Sequence, residues 1–118
     1  AYGSYYLKVN SRNHIETWSA QPVVINNVLT YYDFTNNLNK AYGDNQVELE
    51  PGVFGFYCGD INQDDAIDGF DYLLLEPDIV LGNFGYLVTD LNGDGAVDGF
   101  DYLKLEANII AGIGAATP

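Results

Sequence analysis

The 118-residue chain has one cysteine, no methionine and only four basic residues against 17 acidic ones. A lone cysteine, Cys58, cannot close an internal disulfide, so a chain this small must draw any added stability from another source. The shortage of Lys and Arg leaves a formal charge of −13. That excludes nucleic-acid binding through a basic surface and docking on anionic lipid. No apolar run approaches the roughly 20 residues that cross a membrane, so no membrane insertion is expected. No basic stretch and apolar segment follow Ala1, and the expectation is a start at a processed end or a fragment boundary. Apolar residues are plentiful at 47 %, with ten tyrosines among them. This is ordinary for a packed protein, so the acidity does not signal disorder.

The charge is unevenly spread. Ten Asp and two Glu lie between Asp60 and Glu106, where Lys104 is the only base, a local balance of −11. Residues 1–59 hold five acids and three bases. Carboxylates packed this densely repel one another unless a cation sits among them. A solvated acidic face does not account for their regular spacing. Shifting the sequence by 30 residues aligns 60–82 with 90–112, and 14 of the 23 positions are identical. The two stretches read DINQDDAIDGFDYLLLEPDIVLG and DLNGDGAVDGFDYLKLEANIIAG, one supersecondary unit present twice.

Each copy opens with the Asp-x-Asn-x-Asp pattern of a twelve-residue calcium loop. Calcium takes six to eight hard oxygens at about 2.3–2.6 Å, and oxygen donors at alternate residues of a tight loop converge on one point. The candidate ligands of the first loop are Asp60, Asn62, Asp64, the Ala66 carbonyl, Asp68 and Asp71. Those of the second are Asp90, Asn92, Asp94, the Ala96 carbonyl, Asp98 and Asp101. Two ions are expected, one per loop. Ile67 and Val97, at loop position 8, are expected to turn from the ion and pair with one another. The sixth position calls for a left-handed backbone; the second loop has Gly95 there and the first has Asp65, so the first should bind more weakly. Magnesium keeps its waters and suits an all-protein cage less well.

A helix should follow each loop. Tyr72, Leu75 and Ile79 recur at helical spacing, as do Tyr102, Leu105 and Ile109. Asp71 and Asp101 fall in the first turn, where a carboxylate is favoured. Pro77 should end or kink the first helix, and Gly82 and Gly112 are C-terminal stops.

These residues resemble the dockerin family, a duplicated calcium-loop-plus-helix module of secreted bacterial proteins. The resemblance implies Asp60, Asn62, Asp64, Asp68 and Asp71 as ligands of one ion, and Asp90, Asn92, Asp94, Asp98 and Asp101 of the other. It also implies a protein partner of the cohesin type, met through loop positions 10 and 11 and nearby helix residues. Where that family typically has small hydroxyl pairs and a basic residue, this chain has Gly69-Phe70, Gly99-Phe100, Pro77 and Ala107. Phe70 and Phe100 are therefore the candidate partner-binding residues, the alternative being that each packs on the opposite repeat. Upstream, SRNHIETWSAQPV, YYDFT, KAYGDNQ and FYCGDINQDD resemble the C-terminal regions of secreted or surface proteins of Bacteroidota-type bacteria. There a β-rich module leads into paired calcium loops. The resemblance implies an extracellular or cell-surface, modular, non-catalytic role.

Residues 1–58 read as strands at Tyr5–Asn10, Ile15–Trp18, Val23–Asn26, Val28–Phe34 and Val53–Cys58. Five strands are few for a closed sandwich. An uncovered sheet edge would accept a strand from a neighbouring copy, which builds a filament. His14 has no serine or cysteine motif beside it and reads as a surface or turn residue. Cys58 reads as a small buried hydrophobe. Trp18 and the tyrosines read as core or interface, with sugar stacking as the alternative. The expected architecture is thus a β-sandwich-like module over 1–58, with few strands for closure, and a small α module of two dockerin-like loop–helix units over 59–118. The expected function is a calcium-binding extracellular structural or assembly module, and no enzyme. Self-association by strand complementation would make it a fibre subunit. The alternatives are a dockerin anchoring its protein to a cohesin-type partner and a carbohydrate-binding accessory module.

Overall fold

The computed structural model describes residues 2–118. They form two compact units: residues 2–10, 16–56 and 116–118 in one, residues 11–15 and 57–115 in the other.

The first unit is β-rich. Strand β1 (Gly3–Tyr5) pairs antiparallel with β4 (Val23–Ile25), β2 (Lys8–Val9) with β3 (Thr17–Trp18), and β5 (Val47–Glu50) with β6 (Val53–Gly55). The registers place Ser4 opposite Val24 and Lys8 opposite Trp18. A bulge between Glu48 and Glu50 bends the third pair. The expected strand over Val28–Phe34 is absent among the described residues, and β5 occupies a stretch not expected to be a strand. Side-chain bonds compete with pairing in the first stretch: Asn26 Oδ1 accepts from the Val28 amide, and Asp33 Oδ1 accepts from the Thr35 amide. Such local acceptors favour turns over ladders. The strand at Val47–Glu50 carries two glutamates at exposed positions, a pattern that hides an edge strand from propensity alone.

Aromatic edges and side-chain hydrogen bonds hold this unit together. Phe34 packs edge-on against Tyr32 and Phe56, with ring centroids 4.8 and 5.3 Å apart. Buried Gln46 donates to the Phe34 carbonyl at 2.8 Å. The Trp18 indole N–H donates to Glu16, and Lys8 both pairs with Glu16 at 3.2 Å and lies over the indole ring. Trp18 therefore has a structural role.

The second unit is built on helices α1 (Gly69–Leu81) and α2 (Gly99–Ala111). Its core is Ile15, Ile61, Ile67, Leu75, Leu91, Val97 and Leu105. Leu75 and Leu105 are fully buried, Ile79 and Ile109 pack against them, and the Tyr72 and Tyr102 rings meet at 5.3 Å. The helical spacing read from the sequence is thus the buried stripe. Asp68 and Asp98 cap the two helices in matching capping boxes closed by Asp71 and Asp101. Gly82 and Gly112 end them in left-handed conformation.

Pro77 does not end α1, which runs on to Leu81. The ring removes the donor for the Leu73 carbonyl. Leu73 lies on the exposed side, where water can serve as the donor, and burial of Leu75 and Ile79 on the other side offsets the cost.

Candidate metal centre

Both loops fold their carboxylates inward by the same local bonds. Asp71 accepts from the amides of Ile61 at 2.8 Å, Asn62 at 3.2 Å and Asp68 at 2.9 Å. Asp101 repeats this with Leu91 at 2.8 Å, Asn92 at 3.0 Å and Asp98 at 2.9 Å. Asp60 takes the amides of Asp64 and Asp65, and Asp90 those of Gly93 and Gly95. Each loop is thereby wound around its own first and last acids. The acids of positions 1, 5 and 12 converge: Asp60, Asp64 and Asp71 bring one oxygen each to within 4.8 Å of one another, and so do Asp90, Asp94 and Asp101. Asn62 and Asn92 donate to Asp64 and Asp94 at the same rim. Asp68 and Asp98 stand apart from these triads and cap their helices by accepting from Phe70 and Phe100. Ala66 and Ala96 form bridges with Gly114 and Phe84.

Asp60 and Asp71 are buried. Burial, helped by neighbouring carboxylates, pushes Asp60 up to about 6 and Asp71 above its ordinary value, although the amide bonds oppose the shift. Three oxygens gathered in partial burial form a site short of positive charge. The donors are all hard oxygens, which fits calcium and not a soft metal.

Ile67 and Val97 do not pair with one another as expected. The Ile67 amide donates to the Ile113 carbonyl, and the Val97 amide to the Asn83 carbonyl. Gly85 donates to Gly95, and Ala115 donates to Asp65. Each loop is therefore strapped by the segment that leaves the other repeat's helix. The reason is geometric: a left-handed glycine at each helix end turns the chain back toward the opposite loop, so that segment reaches the loop's free edge first. Both side chains still enter the common core.

Two further features escaped the sequence. The fourth loop position needs a left-handed backbone as well as the sixth: Gln63 and Asp65 have φ of 58° and 71°, where the second loop has Gly93 and Gly95. Their pairing with glycines across the repeat was the available signal. Ile15, far from either loop in sequence, is fully buried in the core, and its amide donates to the Tyr57 carbonyl; nothing local announces that. A non-glycine residue in this conformation costs about 1 kcal/mol. Asp65→Gly is therefore expected to raise stability by about 1 kcal/mol in urea unfolding, because only the Asp65 backbone makes bonds that hold the loop. An unchanged or lower midpoint would show that the first loop is not strained.

His14 and Cys58 form an antiparallel bridge. Burial holds the His14 ring below its ordinary value, with the Arg12 charge adding to the effect, and burial raises the Cys58 thiol. A half-buried thiol of raised pKa is a poor nucleophile. Phe70 and Phe100 are 66 % and 67 % exposed, so neither is packed away against the opposite repeat.

Residues 58–110 match the family model of the dockerin type I domain. The chain thus contains a dockerin-like calcium-loop module, non-catalytic and of a kind that binds calcium and engages a protein partner. No curated protein and no solved structure gives a match to the chain.

Proposed function

We propose that this chain is a calcium-held extracellular assembly module, without catalytic activity in either half. Two calcium ions occupy the loops. One is held by Asp60, Asn62, Asp64, the Ala66 carbonyl, Asp68 and Asp71. The other is held by Asp90, Asn92, Asp94, the Ala96 carbonyl, Asp98 and Asp101. Asp68 and Asp98 act at longer range, through water, as their capping bonds leave them outside the triads. In this reading a module over 59–118 docks and a module over 1–58 is what it carries. The extracellular setting supplies the millimolar calcium that such loops need. No helix among the described residues is long and apolar enough to cross a membrane.

One observation carries the interaction role. The outer side of α1 presents Phe70, Leu73, Leu74, Val80 and Leu81 exposed, at spacings of three, four and seven that align them along one face. On α2, Phe100, Leu103 and Ile110 are exposed, and Lys104 replaces the counterpart of Leu74. An apolar helix face of this kind marks a docking surface. Surface plasmon resonance against a cohesin-type domain and against the chain itself tests the reading. Binding to one of them is expected in calcium and not in chelator, and Leu74→Glu should weaken it at least tenfold while leaving the helix content intact. Failure to bind either in calcium overturns it.

A second reading, self-association by strand complementation, is favoured by β1 and β4. Among the described residues they pair only with each other, and Tyr5 and Val24 on them are exposed. A monodisperse monomer in light scattering at high concentration would count against a fibre subunit.

A further inference from the structure

The chain has a single arginine, Arg12, and 17 acids, yet the ion pair among the described residues is Lys8 with Glu16. The Arg12 guanidinium lies 3.8 Å from the centroid of the Tyr86 ring. Its Nη1 is buried and has no hydrogen-bond partner. A buried donor without a protein acceptor is uncommon. The segment carrying it is firmly placed: buried Asn13 donates to the carbonyls of Val88 at 3.1 Å and Asp90 at 3.5 Å. Ser11 Oγ bonds His14 Nδ1 at 2.7 Å. Arg12, Ser11, His14 and Tyr86 wall an open cleft of about 400 Å³ with Asn92 and Gly93, large enough for a monosaccharide. Around Gly93 a Cβ would meet nothing within 4 Å, so that side stands open. Asp90, the acid in the wall, directs its two oxygens to the amides of Gly93 and Gly95 at 3.0 and 2.9 Å.

We infer that this cleft binds a sugar acid, with Arg12 receiving its carboxylate. One guanidinium in strongly acidic surroundings suits a single negative charge; a phosphate dianion would meet more repulsion than Arg12 offsets. Apart from Asp90, the remaining wall supplies hydrogen bonds and an aromatic ring, not charge. Ser11 and the neutral His14 ring serve hydroxyl groups. Tyr86, whose ring is covered by Arg12 yet remains 86 % exposed overall, offers its free face to a pyranose.

The test is an NMR titration of the calcium-loaded full chain with glucuronate, and in parallel with glucose and acetate. Glucuronate is expected to shift the Gly93 amide and the Arg12 and Tyr86 side-chain signals, with glucose leaving them in place and acetate binding at least tenfold more weakly. Arg12→Gln should weaken glucuronate binding at least tenfold. Tyr86→Leu, at an exposed position that leaves the core untouched, should weaken it as well. No shift with glucuronate, equal binding of acetate or glucose, or full affinity in both variants would overturn the inference. Calcium occupancy is read in the same spectra from the Gly95 amide, so failure of the cleft is distinguishable from failure of the metal site.

Discussion

Asp101→Ala is expected to lower the melting temperature of the calcium-loaded protein by about 15 °C. The carboxylate is fully buried and accepts from three amides, those of Leu91, Asn92 and Asp98. Alanine leaves these donors without an acceptor, at about 1–3 kcal/mol for each one that water cannot reach. A loss near 3 kcal/mol moves the melting point of so small a unit by about 12–24 °C. Asp101→Asn separates the two roles of the residue. Its carbonyl oxygen can still serve Leu91 and Asn92, while its amide nitrogen cannot accept from Asp98 and its charge is gone. The asparagine variant, which keeps two of the three bonds but lacks the charge, should therefore recover only part of the loss in calcium. A melting point for Asp101→Ala within 3 °C of the parent, an order-of-magnitude threshold well under one such bond, would remove Asp101 from the framework of the loop.

Chelation should melt the second unit, and acidification should act in opposite directions with and without calcium. Calcium at a thousand times its dissociation constant adds roughly 4 kcal/mol per site. Two such sites match the whole stability ordinary for a domain, about 5–15 kcal/mol. In chelator the helical far-UV signal is therefore expected to fall sharply at neutral pH. Asp60, pushed up to about 6 mainly by burial, and Asp71, also raised, hold protons more tightly in the folded chain than in the unfolded one. The Asp60 contribution to stability is fully present below the ordinary carboxylate value of 3.8 and is lost as pH rises through about 6, and Asp71 acts in the same direction. Lowering the pH from 7 into that window should thus restore helix to the metal-free chain. In calcium the same protons compete with the ion for the same oxygens, and stability should decline. Asp78, whose pKa is lowered by bonds from Thr89 and Asn83, works the other way, but only below its ordinary value. Circular dichroism against pH in the two buffers checks the sign. Parallel slopes would show that the acidic triads are not the cation site.

The local frame of the second unit was legible in the residues. Oxygen donors at alternate positions, a carboxylate in the first turn and glycine at the helix end each act over a few residues. They give the loops, caps and helices much as the repeat implies. The first half was less legible because its strands are two to four residues long and compete with side-chain turns. At that length propensity decides little and pairing partners decide most.

Sequence alone therefore determined the paired carboxylate loops, the buried stripe of each helix and the overall division of charge, because those follow from short-range spacing. Only the tertiary structure decided which segment straps which loop and that Ile15 completes the core. It also decided that Phe70 and Phe100 stay exposed and that Arg12 lies on the Tyr86 ring with its Nη1 unbonded. Apart from the exposure of the two phenylalanines, these are contacts between residues far apart in the chain, fixed as the two repeats close over one apolar core.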